Sequence, residues 1–76
     1  MFDELREAAG MGGPAGELAN ELLVIRQQYE AGELNTEEYQ YLLEQVAQIK
    51  AAQALASDEI ACRFIINAAT SLASAV

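Results

Sequence analysis

The sequence predicts an all-α protein, and three observations support that fold class. Hydrophobic residues make up 53% of the 76 residues, and most of them are Ala, Leu, Ile and Val rather than aromatic residues. Apolar residues recur every three or four positions, which is the period of one face of an α-helix. After Gly32 the chain contains neither glycine nor proline, the residues that most often interrupt helices. We therefore expect an antiparallel helical hairpin followed by a third, apolar helix.

The first helix of the hairpin is predicted over residues 15–31. Pro14 suits a first-turn position, because a proline there leaves no hydrogen bond of the helix unmade. Gly32 follows as a stop signal. Between them, four apolar residues recur at intervals of four, three and four positions and form one helical face: Leu18, Leu22, Ile25 and Tyr29.

The second helix is predicted over residues 36–56, and two signals mark its start. Asn35 can act as N-cap, and Glu38 can reach back to the amide of Asn35, which together make a capping box. Leu34 and Tyr39 occupy the N′ and N4 positions of a hydrophobic staple, which fixes the direction in which the chain enters the helix. The short connection makes the two helices antiparallel neighbours. The apolar stripe of this helix consists of Tyr39, Leu42, Leu43, Val46 and Ile49.

A third helix is predicted over residues 58–76, after a break or kink near Ser57. Ser57 can cap this helix, and Asp58 and Glu59 lie in its first turn, where the helix dipole favours carboxylates. One continuous helix to the end of the chain is the alternative. The segment is apolar over more than half of its circumference, and a two-helix hairpin is too small to cover it. We therefore expect an interface with a partner at Ile60, Phe64, Ile65, Leu72 and Val76.

Residues 1–9 are predicted to be a short helical docking peptide. Two helical turns are too few to persist alone in water, so this peptide needs a surface on which to dock. Residues 10–16, GMGGPAG, hold four of the five glycines and the only proline, and we interpret them as a flexible linker to a single helical domain over residues 17–76. Phe2 and Leu5 would enter a groove on a partner, and the alternative is a frayed terminus.

The net charge of −8 is unevenly distributed and limits the possible partners. Residues 1–44 hold ten acidic and two basic residues, whereas residues 45–76 hold two of each. With only four Lys and Arg and no basic stripe, the chain is not expected to bind nucleic acid directly or to adhere to an anionic membrane.

Membrane insertion and secretion are not expected either. Residues 60–76 would extend about 25 Å as a helix, which is less than the roughly 30 Å of a bilayer core. The N-terminal stretch MFDELREAAG lacks the apolar core of a secretory signal. We therefore expect an intracellular (cytoplasmic) or virion-associated protein.

The residue content argues against an enzyme. The chain has no histidine, so neither Cys62 nor any serine has the usual base to activate it as a nucleophile. Cys62 is the only cysteine and stands among apolar residues, so we expect a buried thiol without an internal disulfide. Residues 30–38, EAGELNTEE, lack the ligand spacing of a calcium loop. We expect no catalytic residue, no metal site and no cofactor.

Residues 22–46, LLVIRQQYEAGELNTEEYQYLLEQV, resemble the short helical hairpin known as the SHOCT domain. The family pattern is a Leu-rich helix, then Gly, any residue, Ile, Thr, any residue, Glu, Glu, Phe and a second Leu-rich helix. Asn35 stands in place of the Thr and keeps the capping role, and Tyr39 stands in place of the Phe and keeps the staple. The matching positions are Gly32, Leu34, Asn35, Glu37, Glu38, Tyr39, Leu42 and Leu43.

The resemblance implies an interaction module that mediates oligomerisation or contact with other macromolecules. Hairpins of this type are also similar to small acidic proteins of tailed phages. We therefore expect a non-enzymatic structural or assembly protein that forms a homo-oligomer or joins a larger complex, with a phage virion among the candidates. The alternative is an acidic inhibitor or nucleic-acid mimic whose carboxylates occupy a basic groove on a target protein.

Overall fold

Five α-helices and one π-helical turn make up most of the chain that the structure describes. This computed structural model describes the backbone of residues 2–74 and the side chains of residues 3–74. Within that range the protein is all-α, as predicted, and contains no strand. In chain order the elements are α1 (Phe2–Gly10), α2 (Gly13–Glu30), α3 (Thr36–Gln45), the π turn (Val46–Lys50), α4 (Ala51–Ala54) and α5 (Glu59–Ser74).

Helices α2 and α3 form the predicted hairpin. Three side-chain pairs connect them: Tyr29 with Thr36, Arg26 with Tyr39 and, beyond α3, Glu21 with Lys50. Residues nearer the N-terminus of α2 pair with residues later in the chain, so the two helices run antiparallel.

The turn between them is built by helix-end chemistry. Gly32 has a φ of 80°, a conformation that costs glycine little, and it ends α2 in a Schellman motif. In this motif the Gly32 amide donates to the Tyr29 carbonyl at 3.1 Å, and the Glu33 amide donates to the Gln28 carbonyl at 2.9 Å.

The predicted capping box at the start of α3 is confirmed. The Glu38 amide donates to Asn35 Oδ1 at 2.8 Å, and the Asn35 amide donates to Glu38 Oε1 at 3.0 Å. Both glutamates of this first turn, Glu37 and Glu38, also lie where the helix dipole favours negative charge.

The π turn after α3 corrects the predicted apolar stripe. The buried residues in this region are separated by four, three and then five positions, namely Tyr39, Leu43, Val46 and Ala51. A regular α-helix cannot keep residues five apart on one face, and the wider π turn accommodates the extra residue. Ile49, predicted to lie on the stripe, is consequently 45% exposed. Lys50 also points outward and pairs with Glu21 at 2.6 Å.

The chain breaks between α4 and α5, as favoured over a continuous helix, but the cap differs from the prediction. Asp58, not Ser57, caps α5, because its Oδ1 accepts from the Ala61 amide at 3.1 Å. The Asp58 carbonyl accepts from the Cys62 amide at 3.0 Å, which closes the first turn. The Ser57 amide instead donates to the Ala54 carbonyl and so belongs to the preceding turn. A carboxylate at this position also complements the positive end of the helix dipole.

Helix α5 packs on the hairpin and completes a single core. It contributes small and medium side chains at helical spacing, which let it approach α2, α3 and α4 closely. The buried residues of α5 are Cys62, Ile65, Ala68, Ala69 and Leu72, and they join Leu22, Tyr39, Leu43 and Val46 of the hairpin and π turn.

Tyr39 connects three helices through one buried side chain. Its ring stacks on that of Tyr29 in α2, with centroids 4.1 Å apart and planes 12° from parallel. Its hydroxyl accepts a hydrogen bond from Arg26 Nη1 at 3.2 Å and donates to the Leu72 carbonyl at 3.5 Å. The neighbouring Gln40 donates from Nε2 to the Ala73 carbonyl at 3.2 Å. Residues of α3 therefore satisfy carbonyls in the last turn of α5, which the helix itself cannot satisfy.

Arg26 covers the edge of this aromatic pair. Its guanidinium carbon lies 5.6 Å from the Tyr29 centroid and 5.7 Å from the Tyr39 centroid, nearly equidistant from the two stacked rings. Its Nε donates to Glu30 at 2.8 Å. The hydrogen bond to Tyr39, and after it that to Glu30, raises the pKa of Arg26, so the guanidinium stays charged.

Helix α1 docks on α2 within the same chain. Leu5 is fully buried in the core. A Cβ placed on Gly16 would lie 3.1 Å from the Ala8 carbonyl oxygen, a tight contact, so the absence of a side chain at Gly16 favours the close approach of the C-terminal end of α1 to α2. The linker is Met11 and Gly12, shorter than the predicted 10–16, because α2 already begins at Gly13.

Replacing Gly16 should release α1. In Gly16→Leu the new side chain would meet the backbone of α1 and displace this helix. Because Leu5 of α1 would then leave the core, we expect a loss of roughly 2 kcal/mol in the free energy of unfolding, the value of burying one Leu side chain. Hydrogen exchange at the amides of α1 should accelerate by more than about tenfold, because an isolated helix of this length is unstable.

Gly10→Leu is the matched control, since a Cβ at Gly10 meets nothing within 4 Å. Equal exchange in the two variants would show that α1 is not held by contact with Gly16.

Tyr39→Phe tests the hydroxyl alone, because the stacked ring remains. Because the hydroxyl makes two hydrogen bonds, each usually worth about 0.5–1.5 kcal/mol, we expect a loss of about 1–3 kcal/mol in the free energy of unfolding. Urea unfolding followed by circular dichroism measures it. Tyr41→Phe, on the exposed side of the same helix, should change stability by less than about 0.5 kcal/mol. Indistinguishable losses in the two variants would contradict the role given to the Tyr39 hydroxyl.

Candidate protein-interaction surface

The structure places three of the predicted interface residues inside the protein's own core. Leu5, Ile65 and Leu72 are each at most 3% exposed. The apolar side of α5 packs against the hairpin, and the apolar side of α1 packs against α2. In this conformation these residues offer no surface to a partner, which corrects the expectation that the hairpin is too small to cover the third helix.

The other predicted interface residues differ in their placement. Ile60 is 85% exposed at the start of α5, and Phe64, one turn later, is half-buried. Phe64 lines a shallow groove with Glu4 of α1 and Asn67, Ala68 and Ser71 of α5. The side chain of Phe2 and all of Val76 lie outside the described residues.

The hairpin-defining residues act at helix ends. Gly32, Asn35 and Glu38 form the stop and the reciprocal cap described above, and Leu34 is half-buried against the core. For Tyr39 the structure shows Tyr29 as the stacking partner, a contact the sequence pattern does not indicate. Between residues 3 and 74 no group of three or more acidic or cysteine side chains is arranged to hold a metal ion.

An open apolar groove lies on the outer side of the hairpin turn, and we call it the hinge groove. Its volume is about 320 Å³, and its lining is mainly apolar. Tyr41, at 60% exposure, forms one wall, and the half-buried Leu34 and Leu42 form the rest of its apolar surface. Glu37 and Glu38 line it as well and place carboxylates at its rim.

A second groove of about 270 Å³ follows the seam between α2 and α3, and we call it the seam groove. Leu42 lines both grooves, so they adjoin at this residue. Val24, 42% exposed, extends the apolar surface onto α2. The remaining lining residues are Asn20, Glu21, Ile25, Gln28, Gln45, Val46 and Lys50.

The sequence-based prediction does not include this surface, because it assigns one apolar stripe to each helix. Tyr41 and Leu42 immediately precede the buried Leu43, and consecutive residues on a helix point in different directions. Apolar residues at consecutive positions therefore indicate more apolar surface than one packing face can bury. The run YLL at residues 41–43 is the pattern in the sequence that indicates this additional surface.

The charged residues that line the hinge groove, Glu37 and Glu38, are both acidic, whereas the seam groove holds Glu21 and Lys50, which pair with each other. Residues 31–49 contain Glu33, Glu37, Glu38 and Glu44 and no Lys or Arg. Three cations of the chain are paired with other carboxylates: Arg26 with Glu30, Lys50 with Glu21 and Arg63 with Glu59. Within the described range Glu37 forms no ion pair, so its charge is available to a partner.

Cys62 is buried, as predicted, and its thiol is unreactive. It is fully excluded from solvent. Burial, with a smaller contribution from the nearby carboxylate of Asp58, raises the pKa of its thiol, and the protonated thiol is a poor nucleophile.

No protein-family model, curated protein or solved structure matches this chain. Among residues 2–74, none of the helices combines the length and hydropathy that crossing a membrane requires.

The buried thiol predicts a specific dependence on alkali. Below the ordinary thiol pKa of 9.0, Cys62 is protonated in both the folded and unfolded chains and has no effect on the pH dependence. Above it, the unfolded chain loses the proton more readily, so the free energy of unfolding should fall by up to about 1.4 kcal/mol per pH unit.

Urea unfolding between pH 8 and 10 (about one unit on either side of that pKa) measures this fall. Cys62→Ala should show a shallower fall over the same range. Equal slopes, or rapid alkylation of Cys62 in the native protein, would contradict its burial.

Proposed function

We propose that this protein is a non-enzymatic helical interaction module that docks within a larger assembly through the outer face of its hairpin. The observation that carries the proposal is the exposed apolar surface of the hinge and seam grooves, which adjoin at Leu42. Its exposed members, Tyr41 and Val24, have no packing role in the core of the chain. Exposed apolar surface that is bordered by charge is typical of protein contact sites.

The rigidity of this face supports the same proposal. The grooves lie on α2 and α3, which are held together by the stacked Tyr29–Tyr39 pair and closed by the capping box at Asn35. A surface on fixed helices loses little conformational entropy when a partner binds. Ile60, at the start of α5, is a further exposed apolar residue outside these grooves.

The resemblance of residues 22–46 to SHOCT hairpins is consistent with an oligomerisation or docking role. A homo-oligomer, a host complex and a phage virion each fit that role. The raised pKa of the buried Cys62 and the lack of a histidine that could activate this thiol support a non-enzymatic function.

The alternative, an acidic inhibitor or nucleic-acid mimic, receives less support. A mimic needs free carboxylates spread along one face, whereas Glu21, Glu30 and Glu59 are paired with cations of the same chain. The apolar grooves would also have no role in such a mimic.

Site-specific crosslinking in the cells that produce the protein tests the proposal. A photoreactive amino acid at position 41 lies in the hinge groove, and the same group at the exposed position 7 of α1 serves as the control. We expect position 41 to give a defined crosslinked protein, either a second copy or another chain, and position 7 to give none. No adduct above the level of position 7 would contradict docking through this face.

A further inference from the structure

We propose that the partner seated in the hinge groove is a basic amphipathic helix. Its apolar side chains would fill the hinge and seam grooves, and its Lys or Arg residues would pair with Glu37 and Glu38. This inference rests on the proposed function and names the chemistry of the partner.

The shape of the surface favours a helix. The two grooves are separate depressions that meet at Leu42, along the seam between two antiparallel helices. A helix presents apolar side chains at intervals of three and four residues, so successive anchors of one helix can enter successive grooves. Each groove, at about 320 and 270 Å³, has room for a bulky side chain.

The charge favours a basic partner over a second copy. The rim residues Glu37 and Glu38 are negative, and no Lys or Arg occurs between residues 31 and 49. A second copy would bring another net charge of −8 to this rim. Of the four Lys and Arg that a copy could offer, three are already paired with its own carboxylates, namely Arg26, Lys50 and Arg63, which leaves only Arg6 of α1. Like charges at an interface oppose association, whereas Lys and Arg at this rim would speed it.

A peptide-binding experiment on the full chain tests the proposal. The probe is a fluorescent peptide of about 18 residues, with Leu on one helical face and Lys elsewhere, and anisotropy measures its Kd. We expect binding that weakens as NaCl rises from about 50 to about 300 mM. A peptide with Glu in place of Lys, and a scrambled Leu/Lys peptide of the same composition, should bind at least about tenfold more weakly.

Two matched pairs of variants locate the binding site. Tyr41→Ala should raise Kd by about tenfold, whereas Ile60→Ala, which removes exposed apolar surface from α5, should leave it unchanged. Glu37→Gln should raise Kd mainly at low salt, and Glu7→Gln on α1 should have a smaller effect. All four side chains are substantially exposed, so these variants retain the core.

Equal binding of the scrambled peptide, together with equal effects of Tyr41→Ala and Ile60→Ala, would overturn the proposal in favour of unspecific charge attraction. No binding, or equal binding of the Glu peptide, would also overturn it. A crosslink from position 41 to a second copy would contradict the basic partner while leaving the docking function standing.

Discussion

The fold depends on the burial of Tyr39 between three helices. Its ring stacks on Tyr29 of α2, and its hydroxyl lies between Arg26 and the Leu72 carbonyl near the end of α5. A buried hydroxyl without partners would cost free energy, and here it has both a donor and an acceptor. This one side chain therefore closes the hairpin and orients α5. It also donates a hydrogen bond to the Leu72 carbonyl, near the C-terminal end of α5.

The arrangement around Tyr39 also decides which surfaces remain for a partner. Because α5 is held against the hairpin, its apolar residues Ile65 and Leu72 become core. The inner faces of α2 and α3 are occupied in the same way, so the exposed apolar surface lies on their outer face, at Tyr41, Leu42 and Val24. The glutamates that favour the start of α3 then form the rim of that surface, so helix capping and partner selection use the same residues.

Local signals in the sequence were sufficient for the hairpin. The stop at Gly32 and the reciprocal cap between Asn35 and Glu38 involve residues close in sequence, so their chemistry can be inferred from spacing alone. The all-α class follows from the same local patterns. The resemblance to SHOCT hairpins covers this local part and stays a prediction.

The features that sequence reasoning missed depend on contacts between distant residues. The π turn exists because Ala51, five positions after Val46, must face inward, and only the packing around it fixes that requirement. Gly16 belongs to a glycine-rich stretch that predicts a flexible linker. In the structure, however, its lack of a side chain allows close packing against the Ala8 carbonyl. The burial of Ile65 and Leu72 depends on where α5 docks. That position is determined by residues more than 20 positions away in the sequence, among them Tyr39 and Gln40.

The contact by which Tyr39 joins α5 to the hairpin can be measured by nuclear Overhauser effects from the Tyr39 ring protons. We expect cross-peaks from this ring both to the Tyr29 ring and to backbone protons near Leu72, because the stacked rings are 4.1 Å apart and the hydroxyl donates to the Leu72 carbonyl. Cross-peaks confined to α2 and α3, with none to the last turn of α5, would show that Tyr39 does not join α5 to the hairpin.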